Sequence, residues 1–488
     1  MMKRLLLILF AFSFMLPAVA KTWTLKVSDN QRFLQYNDGT PFFWLGDTGW
    51  LLPQRLDANE AGGYLTRASE AGYNVVQVQV INGVPAQNIY GQYSNNPEKP
   101  WDFSCFAKKS LTASYWDHMD NIIKMAEGKG IYIGMVCIWG GLVKSGAIDV
   151  AGAKAYGRFL AERYKNSPNI IWIIGGDIQG DIKPEIWEAL ATTIKSIDKN
   201  HLMTYHPRGR YTSAKWWSKA SWLDFHMYQS GHRAYGQRMG NKDYPIPDNT
   251  EEDCWMYVDS TWNYKPVKPV VDGEPSYEDI PVGLHFPKGP RWQACDVRRY
   301  AYWNVFAGAF GHTYGHNAIM QMVKPGYGVA YADKSKPWYE AQKDDGYQQM
   351  KYLKALMLAL PFFERVPDQT VIASGNGEKY ERLIGTRGED YLLIYNYTSR
   401  DMTVDLTKVG GDKKNVWWMD AQNGELTYLG EHANKTVTFR MKNDEPGLHD
   451  GVLIAIDAEK EYLSKEQRNI ISPLPATQKG GNDKRLEE

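Results

Sequence analysis

The stretch Pro269–Glu278, with the sequence PVVDGEPSYE, decides the fold. Its apolar start ends abruptly at Asp272-Gly273-Glu274-Pro275, and a short β-branched run that stops at Gly and Pro indicates a buried strand with Glu274 at its carboxyl end. An earlier stretch, Asn169–Asp181 (NIIWIIGGDIQGD), has the same form and ends at Gly175-Gly176-Asp177. Two carboxylates at the carboxyl ends of two buried strands predict a catalytic pair in a β/α barrel.

Outward from these two stretches, apolar strand-like runs alternate with amphipathic helical runs, which is the pattern of a (β/α)₈ TIM barrel. After Pro361 the alternation gives way to short strands separated by turn residues, which is typical of a β-sandwich. We therefore predict an α/β barrel over residues 21–362, followed by a small all-β sandwich domain over residues 368–460. The eight predicted barrel strands are Phe42–Gly46, Asn74–Ile81, Gly130–Ile138, Asn169–Gly175, Leu202–His206, Leu223–Tyr228, Val267–Asp272 and Gly308–Tyr314.

The two ends of the chain are predicted to lie outside these domains. Residues 1–20 combine positive charge, an apolar run and the small-residue site Ala18-Val19-Ala20, which indicates a cleavable signal peptide. The apolar run is too short to span a bilayer, and no Cys follows the cleavage site to accept a lipid. We expect a periplasmic or secreted protein with no membrane association after cleavage. The polar segment 464–488 is predicted to be disordered.

The composition narrows the class of partner. Lys plus Arg and Asp plus Glu both number 56, so the chain lacks the basic excess of a nucleic-acid-binding protein. Its 18 Trp and 31 Tyr suit a sugar, which has both apolar faces and hydroxyl groups. Four cysteines are too few for a disulfide framework, and Cys137 lies in an apolar run that predicts burial. The sequence leaves open whether one disulfide bridge forms and which oligomeric state the protein has.

Functional groups of a β/α barrel lie at the carboxyl ends of the strands, where the loops build the site. Glycoside cleavage needs one carboxyl to protonate the leaving oxygen and another to attack the anomeric carbon or activate water. Asp177 and Glu274 are the candidates for these two roles, and Asp181 and Asp272 compete for the role of Asp177. The candidates for binding the substrate are Asp47, Trp50, Gln79, Trp139, His206, His226, Tyr228, His312 and Tyr314.

The histidines at the predicted strand ends could also suggest a metal site. The first strand has no H-x-H pair, however, and the chain has no H-E-x-x-H motif. Phosphate-binding and dinucleotide-binding fingerprints are missing from the sequence as well. We therefore expect neither a metal nor another cofactor.

The paired motifs, in their order along the chain, resemble glycoside hydrolase family 140. They are NDGTPFFWLGDTGW (Asn37–Trp50), YLTRASEAGYNVVQVQV (Tyr64–Val80), IIGGD and GEPSYE. The resemblance covers the barrel, and the predicted sandwich is similar to the collagen-binding-type module that commonly follows it. Most relatives in this clan of barrels place Glu after Asn on the fourth strand. Gly176-Asp177 stands there in this chain, which shortens the reach of the acid by one methylene.

The resemblance implies a retaining, exo-acting glycosidase with Asp177 as acid/base and Glu274 as nucleophile. Its implied substrate is a plant cell-wall pectic oligosaccharide, from which apiose linked to galacturonic acid in rhamnogalacturonan II is released. Two alternatives stay open at this point. An endo-acting β-glycanase of the same clan would have a long aromatic cleft, whereas in a non-catalytic glycan-binding protein the sandwich would bind the ligand.

Overall fold

The structure is a computed structural model that describes residues 23–106, 113–237, 252–284, 289–327, 336–442, 445–463 and 471. The predicted signal peptide lies outside the described residues, and so does the predicted tail except for residue 471. The described chain begins with three short antiparallel strands, Leu25–Val27, Leu34–Tyr36 and Pro41–Phe42. The Asp38-Gly39 turn joins the last two, as the sequence predicts.

Eight parallel strands then follow in the described part of the chain, one for each predicted strand. They are β1 Trp44–Thr48, β2 Val75–Gln79, β3 Tyr132–Val136, β4 Ile170–Ile178, β5 Met203–Pro207, β6 His226–Gln229, β7 Val270–Asp272 and β8 Gly311–Tyr314. Strands β8-β1-β2-β3-β4-β5 form one curled sheet, and β6 pairs with β7. The first strand starts two residues later than predicted because Phe42 belongs to the preceding hairpin.

Single backbone hydrogen bonds join the two sets of strands into a barrel. The N–H of Asp224 donates to the carbonyl of Met203 (2.8 Å), and the N–H of Phe310 donates to that of Val270 (3.0 Å). Helices cover the outside, as parallel strands connected by crossovers require. The longer ones are Ala58–Glu70, Tyr115–Glu127, Val150–Tyr164, Pro184–Ile197, Trp255–Trp262, Ala294–Phe306 and Asp345–Leu358. The short ones are Leu52–Arg55, Gly140–Ser145, Ala214–Trp217, Asn317–Met320 and Trp338–Ala341.

The C-terminal domain is antiparallel throughout its described strands. These are β9 Val366–Pro367, β10 Leu383–Arg387, β11 Tyr391–Asn396, β12 Met402–Asp405, β13 Lys413–Asp420, β14 Leu426–Ala433, β15 Thr436–Phe439 and β16 Gly451–Asp457. Six of them form a sheet in the order β9-β10-β11-β16-β13-β14, and β12 pairs with β15. Leu392, Val404, Val416 and Leu453 pack between the two sheets. The predicted fold class, a barrel followed by a β-sandwich, is confirmed.

The cysteines and the helices of the described chain bear on two further expectations. All four cysteines are free thiols, so the bridge that the sequence left open does not form, and Cys137 is buried as predicted. Across the described ranges, every helix is too short or too polar to cross a bilayer.

A buried ion pair joins the two domains. Nη2 of Arg298, on a barrel helix, lies 2.6 Å from a carboxylate oxygen of Asp450, and both side chains are almost completely buried. The hydroxyl of Tyr395 donates to the same carboxylate (2.7 Å). The ring of Tyr395 stacks on that of Tyr302 with 4.7 Å between centroids. The two domains are therefore docked through polar contacts that water does not reach.

We expect Asp450→Ala to lower the free energy of unfolding by about 3–5 kcal/mol, because it leaves the guanidinium of Arg298 buried without its counter-charge. Chemical denaturation followed by tryptophan fluorescence measures the change. Asp401→Ala is the matched control, since Asp401 pairs with the exposed Arg440 in the same domain and should change the midpoint little. Equal midpoints for the two variants would contradict this assignment.

Candidate active site

A cavity of about 520 Å³ opens at the carboxyl ends of the barrel strands. This volume is typical of a small-molecule site. Asp177 follows the regular part of β4 and Glu274 follows β7, and both line the cavity. The other side chains that line it include Trp50, Gln79, Trp139, Arg208, Arg210, Gln229, His232, Arg233, Gln237, Tyr277, Met320 and Gln321.

A β-bulge turns Asp177 toward the cavity. The pairing of β4 with β5 shifts between Gly175 and Ile178, and Gly175, Gly176 and Asp177 all have positive φ (88°, 121° and 50°). A Cβ at Gly175 would lie 2.4 Å from the carbonyl oxygen of His206, so only glycine fits there. Bulges commonly re-aim a side chain next to an active site. The GGD sequence thus presents the carboxyl of Asp177.

Glu274 is held at the end of β7 by its own backbone. Its N–H donates to a carboxylate oxygen of Asp272 (3.1 Å), and the hydroxyl of Ser230 donates to the other oxygen (2.5 Å). Asp272 is fully buried and does not line the cavity. Glu274 itself is only 8% exposed. Asp272 therefore positions the backbone of Glu274 from the buried side of the strand end.

Two histidines contact the two oxygens of the Glu274 carboxylate. Nε2 of His206 lies 3.3 Å from Oε2, and Nε2 of His232 lies 3.4 Å from Oε1. The backbone N–H of Asp177 donates to Nδ1 of His206 (3.2 Å). The ring of His206 therefore stands between the backbone of one catalytic candidate and the carboxylate of the other.

The surroundings shift the pKa values of the two carboxyls in opposite directions. The side chain of Asp177 is exposed to the cavity, yet the surrounding walls remove enough water from its carboxyl to raise its pKa to about 6, and the negative charge of Glu274 contributes to the rise. Burial also acts to raise the pKa of Glu274, but the contacts with His206 and His232 outweigh it and lower this pKa to about 2. Between these values Asp177 holds a proton while Glu274 is ionised. Such a split distinguishes a general acid from a nucleophile.

Aromatic side chains form a wall of the cavity beside the carboxyls. The rings of Trp50 and Trp139 meet edge to face, with 5.6 Å between centroids. Nε1 of Trp50 donates to the hydroxyl of Tyr277 (3.0 Å). Burial and the nearby charge of Glu274 raise the pKa of Tyr277 well above its usual value, so its hydroxyl stays protonated. The wall offers flat apolar faces of the kind on which a sugar ring stacks.

The structure brings together six of the residues that the sequence singles out. Asp177, Glu274, Trp50, Gln79 and Trp139 line the cavity, and His206 contacts Glu274 from behind. Their individual roles in binding and catalysis stay predictions.

The other five predicted substrate-binding residues, Asp47, His226, Tyr228, His312 and Tyr314, do not line the cavity. Side chains alternate between the two faces of a strand, and the contacts of these residues lie on the side of the helices. Asp47 accepts a hydrogen bond from Tyr64 of helix Ala58–Glu70 (2.6 Å), and Tyr228 stacks on Tyr257 of helix Trp255–Trp262. The geometry therefore gives no support to sugar binding by these five.

Two more of the five, Tyr314 and His226, have polar contacts away from the cavity. The hydroxyl of Tyr314 donates to Glu278 (2.5 Å), and His226 contacts the hydroxyl of Ser213 (3.1 Å). His312 shares the strand face of Tyr314 two residues on, and burial lowers its pKa to about 3. These groups belong to the packing between strands and helices.

Sequence reasoning missed the residues of the loops that follow β5 and β6. Arg208 and Arg210 come directly after β5, and His232 and Arg233 lie just beyond β6. Basic residues within five positions of two predicted strand ends, in PRGR and GHR, were a signal that could have found them. Among the described residues, no group of three or more His, Cys, Asp or Glu is arranged to hold a metal ion.

We expect Glu274→Gln to lower the pKa of Asp177 below its value of about 6, because the substitution removes a neighbouring negative charge that raises it. NMR titration of protein labelled with ¹³C at the Asp carboxyl carbons measures this pKa. Asp181→Asn is the matched control, since it removes an exposed negative charge four residues away. An unchanged Asp177 pKa in Glu274→Gln would show that the two carboxyls do not interact.

Comparison with known proteins agrees with this geometry. Residues 28–364 match a family model described as "Apiosidase-like, catalytic domain", and residues 366–456 match "Putative collagen-binding domain of a collagenase". None of the curated proteins matches the chain. A solved structure titled "Glycoside hydrolase" is 58% identical, with a TM-score of 0.87, and the match covers 91% of this chain and 99% of that one.

A second similar structure is a glycoside hydrolase family 5 protein from Bacteroides vulgatus. It is 56% identical with a TM-score of 0.88, and the match covers 91% of this chain and 96% of that one. The family model spans well over half of the chain, and it covers both catalytic candidates. The chain therefore belongs to the apiosidase-like family and is a glycoside hydrolase.

Proposed function

We propose that this glycoside hydrolase is a retaining, exo-acting apiosidase, which releases apiose from galacturonic acid in the side chains of rhamnogalacturonan II. The observation that supports this proposal most is that Asp177 and Glu274 line one cavity, with a histidine against each carboxylate oxygen of Glu274. These surroundings raise the pKa of Asp177 and lower that of Glu274. A protonated acid and an ionised nucleophile are then present together at mildly acidic pH. The family description supports apiose as the released sugar.

In the proposed mechanism, Glu274 attacks the anomeric carbon while Asp177 donates its proton to the departing glycosidic oxygen. The product of this step is a glycosyl ester of Glu274. The negative charge of Glu274 helps to keep the pKa of Asp177 high, and forming the ester removes that charge. The pKa of Asp177 therefore falls, its carboxyl stays ionised after donating its proton, and it takes a proton from the water that attacks the ester. The sugar leaves with its configuration retained.

The size of the cavity supports exo action. About 520 Å³ next to the two carboxyls suits the end of a chain rather than a long stretch of polysaccharide. Trp50 and Trp139 stand beside the carboxyls, where they would stack on the terminal sugar. A retaining reaction would further require about 5–5.5 Å between the two carboxyl groups.

Three arginines support an acidic sugar on the leaving-group side. Arg208, Arg210 and Arg233 all line the cavity. The planar guanidinium group of arginine matches a carboxylate in shape and charge. Arg208 is next to Gly209, whose N–H donates to the carboxyl of Asp177 (3.3 Å). Arg208 is thus close to the proton donor, where a galacturonate leaving group would lie.

The proposed substrate also bears on where the enzyme works. A plant cell-wall oligosaccharide is met outside the cytoplasm, so we propose that the enzyme is periplasmic or secreted. The predicted signal peptide at residues 1–20 supports this location.

We expect the purified protein to release free apiose from rhamnogalacturonan II oligosaccharides at a pH below about 6, where Asp177 keeps its proton. Mass spectrometry identifies the sugar, and ¹H NMR of the first product shows whether the anomeric configuration is retained. Glu274→Gln is the blank, and we expect its turnover to fall at least about 10⁴-fold because the nucleophile is lost. Internal cleavage, an inverted product or equal activity in the blank would each contradict a part of the proposal.

We expect Arg208→Gln to lower kcat/KM for the galacturonate-linked substrate by roughly 10- to 100-fold, the range for losing one charged hydrogen bond. The loss should vanish on the methyl ester of the same substrate, which has no negative charge to bind. Lys215→Gln serves as control, because Lys215 is a cation that does not line the cavity. Equal losses on the acid and on the ester would remove Arg208 from the role of binding the uronate.

A further inference from the structure

The segment Gly231–Gln237, which we call the β6 loop, lies between the catalytic pair and the C-terminal domain. It contributes His232, Arg233 and Gln237 to the cavity. Its first residue is tied to the nucleophile strand, because the N–H of Gly231 donates to the carbonyl of Glu274 (3.2 Å). The hydroxyl of Ser276 donates to the carbonyl of Gly231 (2.9 Å). One end of the loop is therefore anchored to the residues around Glu274.

The buried carboxylate of Glu252 anchors the loop further along. The N–H of Tyr235 donates to Oε1 of Glu252 (2.8 Å), and Nη2 of Arg299 lies 2.7 Å from Oε2. Glu252 is 1% exposed and Arg299 is completely buried. A carboxylate this deep stays in place only when charge and hydrogen-bond donors surround it. The position of the loop thus depends on the position of Glu252.

A side chain from the C-terminal domain completes the surroundings of Glu252. The hydroxyl of Tyr380, just before β10, lies 3.1 Å from Oε1 and 3.3 Å from Oε2. Its ring packs against that of Tyr235 with 5.2 Å between centroids. The guanidinium of Arg299 lies 4.7 Å from the centre of the Tyr380 ring. Tyr380 therefore contacts the loop, its buried anchor and the cation that pairs with that anchor.

We propose that Tyr380 is a positioning residue for catalysis, which fixes the β6 loop through Glu252 so that His232 stays against the carboxylate of Glu274. The C-terminal sandwich is then a part of the catalytic unit and not only an appended module. This inference goes beyond the substrate assignment, and its effect on catalysis rests on the proposed role of Glu274.

A role restricted to docking the domains would give a different pattern of contacts. Docking is already provided by Arg298 with Asp450, and by Tyr302 stacked on Tyr395. Tyr380 directs its only polar side-chain atom to Glu252, which also holds the backbone of the β6 loop. The series of contacts from Tyr380 to Glu252 to Tyr235 ends three residues from His232. Side-chain contacts thus run from the sandwich to Tyr235, and the backbone of the β6 loop connects Tyr235 to His232, which contacts Glu274.

The first test measures hydrogen exchange of the full-length Tyr380→Phe protein, without any substrate. We expect peptides that contain Gly231–Gln237 to exchange roughly three- to tenfold faster than in the unchanged protein, the range for weakening one contact in a coupled network. Tyr428→Phe is the matched control, because it removes a hydroxyl that bonds Asn415 on the exposed face of the sandwich. Its β6 loop should exchange at the original rate.

Two outcomes of the exchange experiment would overturn the proposal. Unchanged protection of the β6 loop in Tyr380→Phe would show that Tyr380 does not hold it. Faster exchange that spreads to helix Ala294–Phe306, which carries Arg298, and to β16, which follows Asp450, would show that Tyr380 docks the domains instead. Because no substrate is used, both results are independent of whether the proposed sugar is correct.

The second test is a double-mutant cycle on activity with Tyr380→Phe and His232→Gln. We expect Tyr380→Phe to lower kcat/KM roughly three- to tenfold in the unchanged background, and to have no further effect once His232 is replaced. Additive losses would overturn the proposal. If the unchanged protein cleaves none of the substrates, the proposed sugar is wrong and the exchange result alone decides the role of Tyr380.

The pH profile adds a readout that a purely structural role would not move. Glu274 faces His206, His232, Asp177 and Tyr277, and the contact with His232 contributes to its low pKa. Displacing His232 raises that pKa, so the acid limb of kcat/KM should move to higher pH in Tyr380→Phe. An unmoved acid limb together with a lower kcat/KM would contradict action through His232.

Discussion

The site depends on keeping a carboxylate ionised where little water reaches it. Glu274 is 8% exposed, and burial on its own favours the neutral form. The imidazoles of His206 and His232 offset that cost by facing one carboxylate oxygen each. The resulting negative charge in turn helps Asp177 to keep its proton. Removing either histidine contact would therefore disturb the pKa values of both carboxyls.

A chain of backbone hydrogen bonds holds the loops that present these groups. The N–H of Arg208 donates to the carbonyl of Ile178 (3.0 Å), and the N–H of Arg210 donates to that of Gln229 (2.6 Å). The loop after β6 is joined to Glu274 in the same way. Because main-chain groups make these bonds, the rim of the cavity is defined by the fold. Its side chains can differ between relatives without moving Asp177 and Glu274, which is how barrels with one chemistry differ in substrate.

Sequence reasoning identified the parts of the site that local patterns encode. GGD and DGEP each end an apolar run with glycine next to an acid, so the strand ends and both carboxyls were predictable. Asp47 was misplaced because a strand that starts two residues later changes which residues reach its end, and alternate side chains face opposite sides. Arg208, His232 and Arg233 lie in loops, where no periodicity reports direction. The contact between Tyr380 and Glu252 spans 128 residues, and no local pattern predicts it.

In the proposed mechanism, Glu274 forms a covalent bond to the sugar. The most direct measurement is mass spectrometry of proteolytic peptides after incubation with an activated 2-deoxy-2-fluoro apioside, which slows the release of the glycosyl enzyme. We expect one added fluorosugar on the peptide that contains Pro269–Glu278, and fragmentation should place it on Glu274. An adduct on Asp177 or on another carboxyl would contradict this mechanism. So would complete turnover with inversion and no adduct.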